Sequence, residues 1–260
     1  MALDIHSSAI VHPEAQIGAN AVIGPYTIIE RGVVIGENTR IGSNVLIAAG
    51  AHIKNDCIIS HGAVIGTQPQ DLKFKGEHTI IEIGERTVIR EYCMLNRGTA
   101  ATGATRVGAD CFLMAYSHVA HDCQIGNHVI IANGVQMGGH THIGDWAILG
   151  GLVGIHQFSR IGAHTMVGAA SYITKDIPPY ALVGGIPPRC AGINVVGLRR
   201  RGFSSEAIDA IQRFYKILFN TGLNVADGII KAESDLPPLH EIRHIIEFIR
   251  SSERGILRGR

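Results

Sequence analysis

The sequence is poor in most of what would place it quickly. Aromatic residues make up 5 % of its 260 positions, charged residues 17 %, and a single tryptophan is present. So few rings leave little to fill a wide core. A narrow interior lined by aliphatic side chains suits the 46 % hydrophobic content better. The formal net charge of +1 gives no general pull toward nucleic acid or a membrane surface. No apolar stretch approaches the length that spans a bilayer, and no basic segment followed by an apolar one opens the chain. The expectation is a cytoplasmic protein with no integral membrane segment and no nucleic-acid partner. Cysteines number five, and Cys57, Cys93, Cys111 and Cys123 recur in one slot of the pattern below. Ala, Val and Thr fill that slot elsewhere, so these four read as small core residues rather than disulfides or metal ligands. Cys190 lies outside the pattern.

What the chain has in abundance is a beat. An aliphatic residue stands at every sixth position through Ile5, Val11, Ile17, Ile23, Ile29, Ile35, Ile41, Ile47, Ile53, Ile59 and Ile65. The beat returns at Ile83, Ile89 and Leu95, then runs from Val107 through Leu113, Val119, Ile125, Ile131, Met137, Ile143, Leu149, Ile155, Ile161 and Val167 to Ile173. An α-helix repeats at 3.6 residues and a lone strand at 2. A period of six marks hexapeptide repeats, each a short strand and a turn. Glycine often follows the aliphatic residue, as at Gly18, Gly36, Gly108, Gly126 and Gly144, which fits a sharp corner or a positive φ. A small or β-branched residue comes four places after it, as at Ala21, Thr27, Val33 and Cys57. Three hexads make a triangular coil of about eighteen residues, coils stack at roughly 4.8 Å, and each buries its neighbour. The predicted fold is an all-β solenoid, a parallel β-helix.

The beat lapses over residues 71–82 (DLKFKGEHTIIE) and 101–106 (ATGATR). Both are predicted to be loops protruding from the stack, and long loops on a regular scaffold usually carry function. Beyond Ile173, Pro178, Pro179, Pro187 and Pro188 cannot donate ladder hydrogen bonds, so the repeat ends there. The division is a β-helix over 1–190 and a C-terminal α-helical domain over 191–260. In the second part, Ser204 or Ser205 caps a helix bearing Ile208, Ile211, Tyr215 and Leu218 and stopped by Gly222. A last helix after Pro237 and Pro238 bears Ile242, Ile245, Ile246 and Ile249. Such a tail can cap the open end of the coil or pack against neighbouring chains.

Fourteen histidines are present, and they are densest in SHVAHDCQIGNHVIIANGVQMGGHTHIGDWAILGGLVGIHQF, from Ser117 to Phe158. Adding eighteen residues moves one coil along the stack. That aligns His121 with Gly139 and Gln157, and Asp122 with His140, in adjacent columns about 5 Å apart per coil. A histidine beside an aspartate, facing a glycine backbone one coil away, is material for acid–base catalysis. Imidazole accepts a proton near neutral pH, a carboxylate orients it, and a backbone N–H stabilises an oxyanion. His6, His12, His52, His61, His78, His128, His164, His240 and His244 read as solvated or capping groups. Other classes stay open at this point. His118, His121, His140 and His142 could hold zinc, as in a trimeric β-helix carbonic anhydrase, although nothing else in the sequence calls for a metal. A purely structural β-helix would need a flat, repetitive polar face, and the interruptions and the histidine cluster argue against one.

Several segments carry a closer resemblance: TQPQDLKFKGE (67–77), IREYCMLNRGT (89–99), HVAHDCQIGN (118–127), GGHTHIGDWAILGG (138–151), VGIHQFSRIGAHTMVGA (153–169) and INVVGLRRRGFS (193–204). The repeats resemble the hexapeptide acyltransferase superfamily, whose coils wind left-handed. The segments together resemble the UDP-N-acetylglucosamine O-acyltransferases, which begin lipid A synthesis. The resemblance implies a homotrimer with active sites between subunits, which moves a 3-hydroxyacyl chain from acyl carrier protein to the glucosamine 3-hydroxyl of the UDP-sugar. It implies no cofactor of the protein's own, since the donor carries phosphopantetheine, and no metal. Carried over, His121 is the general base, Asp122 supports it, and the Gly139 amide is an oxyanion donor. Asp71, Lys73, His118, His140, His156 and Gln157 hold the sugar, the diphosphate or the acyl group. Asn194, Arg200 and Arg201 contact the UDP moiety, an apt task for arginine, and Ala169 falls where acyl length is limited. The loop from 71 would reach across to a neighbour's cleft. Two positions depart from relatives: Asn96 stands where they carry His in an HRGT segment, which leaves a 3-amino sugar acceptor open, and Val196 where they often have an acidic residue. The runner-up is an acetyl-CoA-dependent hexapeptide acetyltransferase.

Overall fold

A computed structural model describes residues 3–259. Strands run from Asp4–Ile5 to Tyr172–Ile173, most of them two residues long. Each pairs in parallel with the third strand before and after it, so the chain passes through three sheets in rotation. Phe112 lies beside Ile130, and Ile130 beside Ile148, eighteen residues on each time. Two-residue strands follow from the repeat, because one side chain points into the stack and the other out. Inward rows such as Leu113, Ile131, Leu149 and Val167 are fully buried, and burying each such side chain contributes about 1.5–3 kcal/mol. The outer faces differ. The first sheet presents Phe112, Ile130, Ile148 and Met166, the second Met94, His118, Gln136 and Gly154, and the third Glu82, Arg106, Gln124, His142 and Arg160.

The turns correct one expectation. The glycine after the beat does not take positive φ at Gly18, Gly36, Gly108, Gly126 or Gly144; it is needed because coils approach closely. A Cβ on Gly144 would stand 2.5 Å from the Ala163 nitrogen of the next coil. The left-handed residue sits two places later. Asn20, Asn38, Asp56, Asp110, His128, Trp146 and His164 hold that seat at one corner, and Asp122, His140 and Phe158 at another, all near φ +60°.

The two interruptions begin and end earlier than expected. They span residues 68–79 and 97–103, because Ile80–Ile83 and Ala104–Val107 are strands that pair with each other in the third sheet. Charged outward residues such as Glu82 and Arg106 hide that pairing from an apolar pattern. The first sheet runs on past residue 190. Ala181–Gly184 continues the first sheet beside Met166–Val167, and Arg189–Ile193 folds back antiparallel to it. Pro187 and Pro188 occupy the turn of this hairpin, where no ladder hydrogen bond is asked of them.

Among the described residues four helices follow: α1 (Val195–Arg200), α2 (Ser205–Asn220), α3 (Val225–Asp235) and α4 (His240–Arg250). Ser204 caps α2 by accepting from the Ala207 N–H, and Ile208, Ile211, Tyr215 and Leu218 are buried. α1 and α3 were not foreseen, although Asn194 and Asn224 cap them in the ordinary way. The helical tail closes the end of the stack. The Tyr215 hydroxyl donates to the Pro179 carbonyl at 2.6 Å, and Arg160 lies over the Phe248 ring at 4.4 Å.

Candidate active site

The corner between the second and third sheets brings Asp122, His140 and Phe158 into three successive left-handed seats. Asp122 is fully buried, and its own N–H donates to Thr105 Oγ1 at 2.8 Å. Its carboxylate accepts from the Thr99 N–H at 2.9 Å and from Thr99 Oγ1 at 2.7 Å. Thr102 Oγ1 also donates to it. Burial alone would push this carboxyl up, but hydrogen bonds from Thr102, His121 and Thr99 outweigh burial and hold it at about 2. The group is therefore an anion, and an acceptor only.

His121 Nδ1 lies 2.8 Å from Asp122 Oδ2. Facing an anion, Nδ1 must carry the hydrogen, which leaves Nε2 as the lone-pair nitrogen of the neutral ring. That side of the ring lies on Gly139: a Cβ there would stand 2.5 Å from His121 Cε1 and 2.6 Å from Nε2. His140, whose N–H donates to the His121 carbonyl, sets its ring edge-on to His121 at 5.2 Å and stacks on Phe158 at 4.5 Å. Its Nε2 is 3.6 Å from Asp122 Oδ2. Burial lowers the basicity of His140, and the Asp122 charge works against that lowering.

The 68–79 loop covers this corner of its own chain. Asn96 Nδ2 anchors its root on Thr67 Oγ1 and the Gln68 carbonyl, both at 3.0 Å, and Arg97 lies over the Phe74 ring. Glu77 accepts from the Ala100 N–H at 3.2 Å, which ties the two loops together. Asp71 and Lys73 thus join His121, His140, Gln157 and Phe158 around one cleft of ≈ 710 Å³. The sequence reading sent this loop toward a neighbour. Within its own chain, the anchors hold it beside His121.

Other expected residues stand apart. His118 projects from the second sheet beside Met94 and Gln136 with its Nε2 buried and unpartnered among the described residues; burial, then the nearness of His121, lowers its basicity. His156 Nδ1 is 3.0 Å from the Gln157 carbonyl and 3.2 Å from Arg254 of the tail. Asn194 caps α1 and donates to the His164 carbonyl, while Arg201 lies 5.2 Å over the Trp146 ring, both at the corner between the third and first sheets. Arg200 is exposed on α1 nearby, and Ala169 is exposed at the remaining corner. In one chain Asn194 with Arg200 and Arg201, the histidine pair, and Ala169 therefore occupy three different corners.

Three threonines, Thr99, Thr102 and Thr105, were missed. The segment TAATGAT (99–105), placed in an interruption of the beat, was the available signal. Among the described residues, His121, Asp122 and His140 each offer one atom within 4.8 Å of one another as a candidate metal group. His118 and His142, the other zinc candidates, are outside it, and the threonine donors already occupy the carboxylate.

A family model described as UDP-N-acetylglucosamine O-acyltransferase, domain 2, matches residues 176–257, and the bacterial transferase hexapeptide model matches 104–139. The acyl-[acyl-carrier-protein]–UDP-N-acetylglucosamine O-acyltransferase of Myxococcus xanthus is 46 % identical over 98 % of this chain and 99 % of its own. The solved UDP-N-acetylglucosamine acyltransferase of Bacteroides fragilis is 48 % identical with a TM-score of 0.97, covering 98 % of this chain and 100 % of its own. That of Acinetobacter baumannii is 43 % identical with a TM-score of 0.94, covering 98 % and 99 %. The similarity runs along nearly the whole length, and the chain belongs to the UDP-N-acetylglucosamine O-acyltransferase family.

Proposed function

We propose that this chain transfers a 3-hydroxyacyl group from acyl carrier protein to the glucosamine 3-hydroxyl of UDP-N-acetylglucosamine, the first step of lipid A biosynthesis. The observation that carries the residue roles is the His121–Asp122 pair lying against Gly139. His121 Nε2 removes the 3-hydroxyl proton as that oxygen attacks the thioester carbonyl. The Gly139 N–H serves the tetrahedral oxyanion. Collapse breaks the C–S bond, and the His121 imidazolium returns its proton to the departing phosphopantetheine thiol. Asp122 keeps the Nδ1–H tautomer and favours the imidazolium, as the acid does in other His–carboxylate pairs. Asp71 and Lys73 on the covering loop, with His140 and Gln157, orient the sugar and the acyl group, and no metal or cofactor of the protein's own takes part.

The working unit in this reading is a homotrimer of left-handed coils in the cytoplasm. Asn194, Arg200 and Arg201 lie at a different corner from His121, and a second copy packed around a threefold axis would bring one chain's arginines to another chain's histidines. The apolar outer face of the first sheet offers area for such packing. Chromatography and mass spectrometry of the product test the chemistry. The His121→Ala variant is expected to keep its assembly state and to lose turnover on the order of 10³-fold. Near wild-type turnover in that variant would refute the general-base role.

A further inference from the structure

We propose that Thr102, with Thr99, is a positioning residue of the reaction: the 97–103 loop closes on Asp122 to hold the carboxylate that aims His121. This rests on His121 acting as the base. Asp122 has no exposed surface, so water cannot orient it. Its four acceptor contacts are the Thr99 N–H, the Thr99 hydroxyl, the Thr102 hydroxyl and His121 Nδ1. Three of them come from one loop that breaks the beat, and the fourth is the catalytic ring.

Each hydroxyl has one hydrogen to give, so its direction decides the matter. Thr102 Oγ1 is also 3.0 Å from the Ala104 carbonyl, but that carbonyl already accepts from Gln124 Nε2 at 3.1 Å. An anion is the stronger acceptor, so the Thr102 hydrogen goes to Asp122. Thr99 Oγ1 accepts from the Ala101 N–H at 3.2 Å, which turns its own hydrogen toward the carboxylate. The loop itself is pinned: the Gly103 N–H donates to the Thr99 carbonyl at 2.8 Å, and Thr79 Oγ1 donates to the Gly98 carbonyl at 2.6 Å. The titratable and charged groups around Asp122 are His121 on its own turn, His140 on the next, the Cys123 thiol beside it, and Asp71, Lys73 and Glu77 across the cleft, Glu77 also accepting from the Ala100 N–H of the loop. Residues 99–103 of the loop bring donors but no charge. With the hydroxyls removed, burial is less opposed, and the carboxyl rises from about 2 toward the working range.

The test compares Thr102→Val, Thr99→Val and Thr102→Ser in the full-length enzyme. Valine keeps the shape and removes the hydrogen bond. Each valine variant is expected to lower kcat on the order of ten-fold with KM for the UDP-sugar little changed, and to move the acid limb of the kcat profile to higher pH. Serine at position 102 is expected to restore both. A valine variant with wild-type kcat and an unmoved acid limb would overturn the proposal, as would a serine variant that fails like valine. Loss of activity in His121→Ala beside wild-type behaviour in both valine variants would remove only the clamp. Activity retained in His121→Ala would remove the base itself.

Discussion

At Gly139 the smallest possible change reaches the chemistry. A methyl group there would stand 2.5 Å from His121 Cε1, so the ring must move while the inward rows are untouched. Gly139→Ala is expected to fold with an unchanged melting midpoint and to lose on the order of 10²-fold in kcat, since a displacement near 1 Å suffices for that. Steady-state kinetics beside a thermal melt check both halves. The site was partly legible at this scale. Counting in eighteens placed His121 over Gly139 and Asp122 beside His140, because outward side chains on identical turns repeat at the coil spacing. Thr99 and Thr102 were not legible, because they lie where the beat stops and no period says what a loop will touch.

Among the elements, the joint between coil and tail carries its own pH dependence. His164 stacks between Trp146 and Tyr180, and the Tyr180 hydroxyl meets His244 Nδ1 at 3.1 Å. Burial, then the nearby Arg201 charge and His244, takes His164 from its ordinary 6.5 down to about 4; burial likewise lowers His244. The unfolded chain therefore binds protons here that the folded joint resists. The stability in question is fully present above about pH 6.5, falls away toward pH 4, and changes no further below that. Between pH 7 and pH 5 the loss from His164 is on the order of 1 kcal/mol, discounted for partial exposure. Thermal melts at the two values are expected to differ by a few degrees, and His164→Gln to narrow the difference. The joint also shows where sequence reading stopped. The 181–193 hairpin leaves the hexapeptide frame, and α1 is only six residues long, too short to show a helical period. α2 and α4 were readable because each buries a stripe of isoleucines.

For the whole molecule, the separation of the arginine corner from the histidine corner makes assembly measurable. If sites form between copies, His121→Ala and Arg201→Ala chains are each inactive alone but complement each other when mixed. Random trimers regain one intact site whenever both types are present, so about a quarter of wild-type activity is expected after co-refolding. Activity staying at the level of the separate variants would place a complete site within one chain. The fold was legible at this scale because an interior one side chain wide demands the same inward residue at every strand. The pairing of corners between copies follows from no period, since it depends on where the loops and tail leave the outer faces bare.

The left-handed seats have a wider consequence. Asparagine, tyrosine, arginine, tryptophan, histidine and aspartate all occupy them, with the backbone bent alike each time. The turn fixes where a side chain is mounted and leaves open what is mounted there. Exchanging the group at seats such as those of Asp122, His140 and Phe158 leaves the aliphatic rows inside untouched. Such a scaffold can acquire new chemistry by local replacement, one corner at a time, while the structure that bears it stays the same.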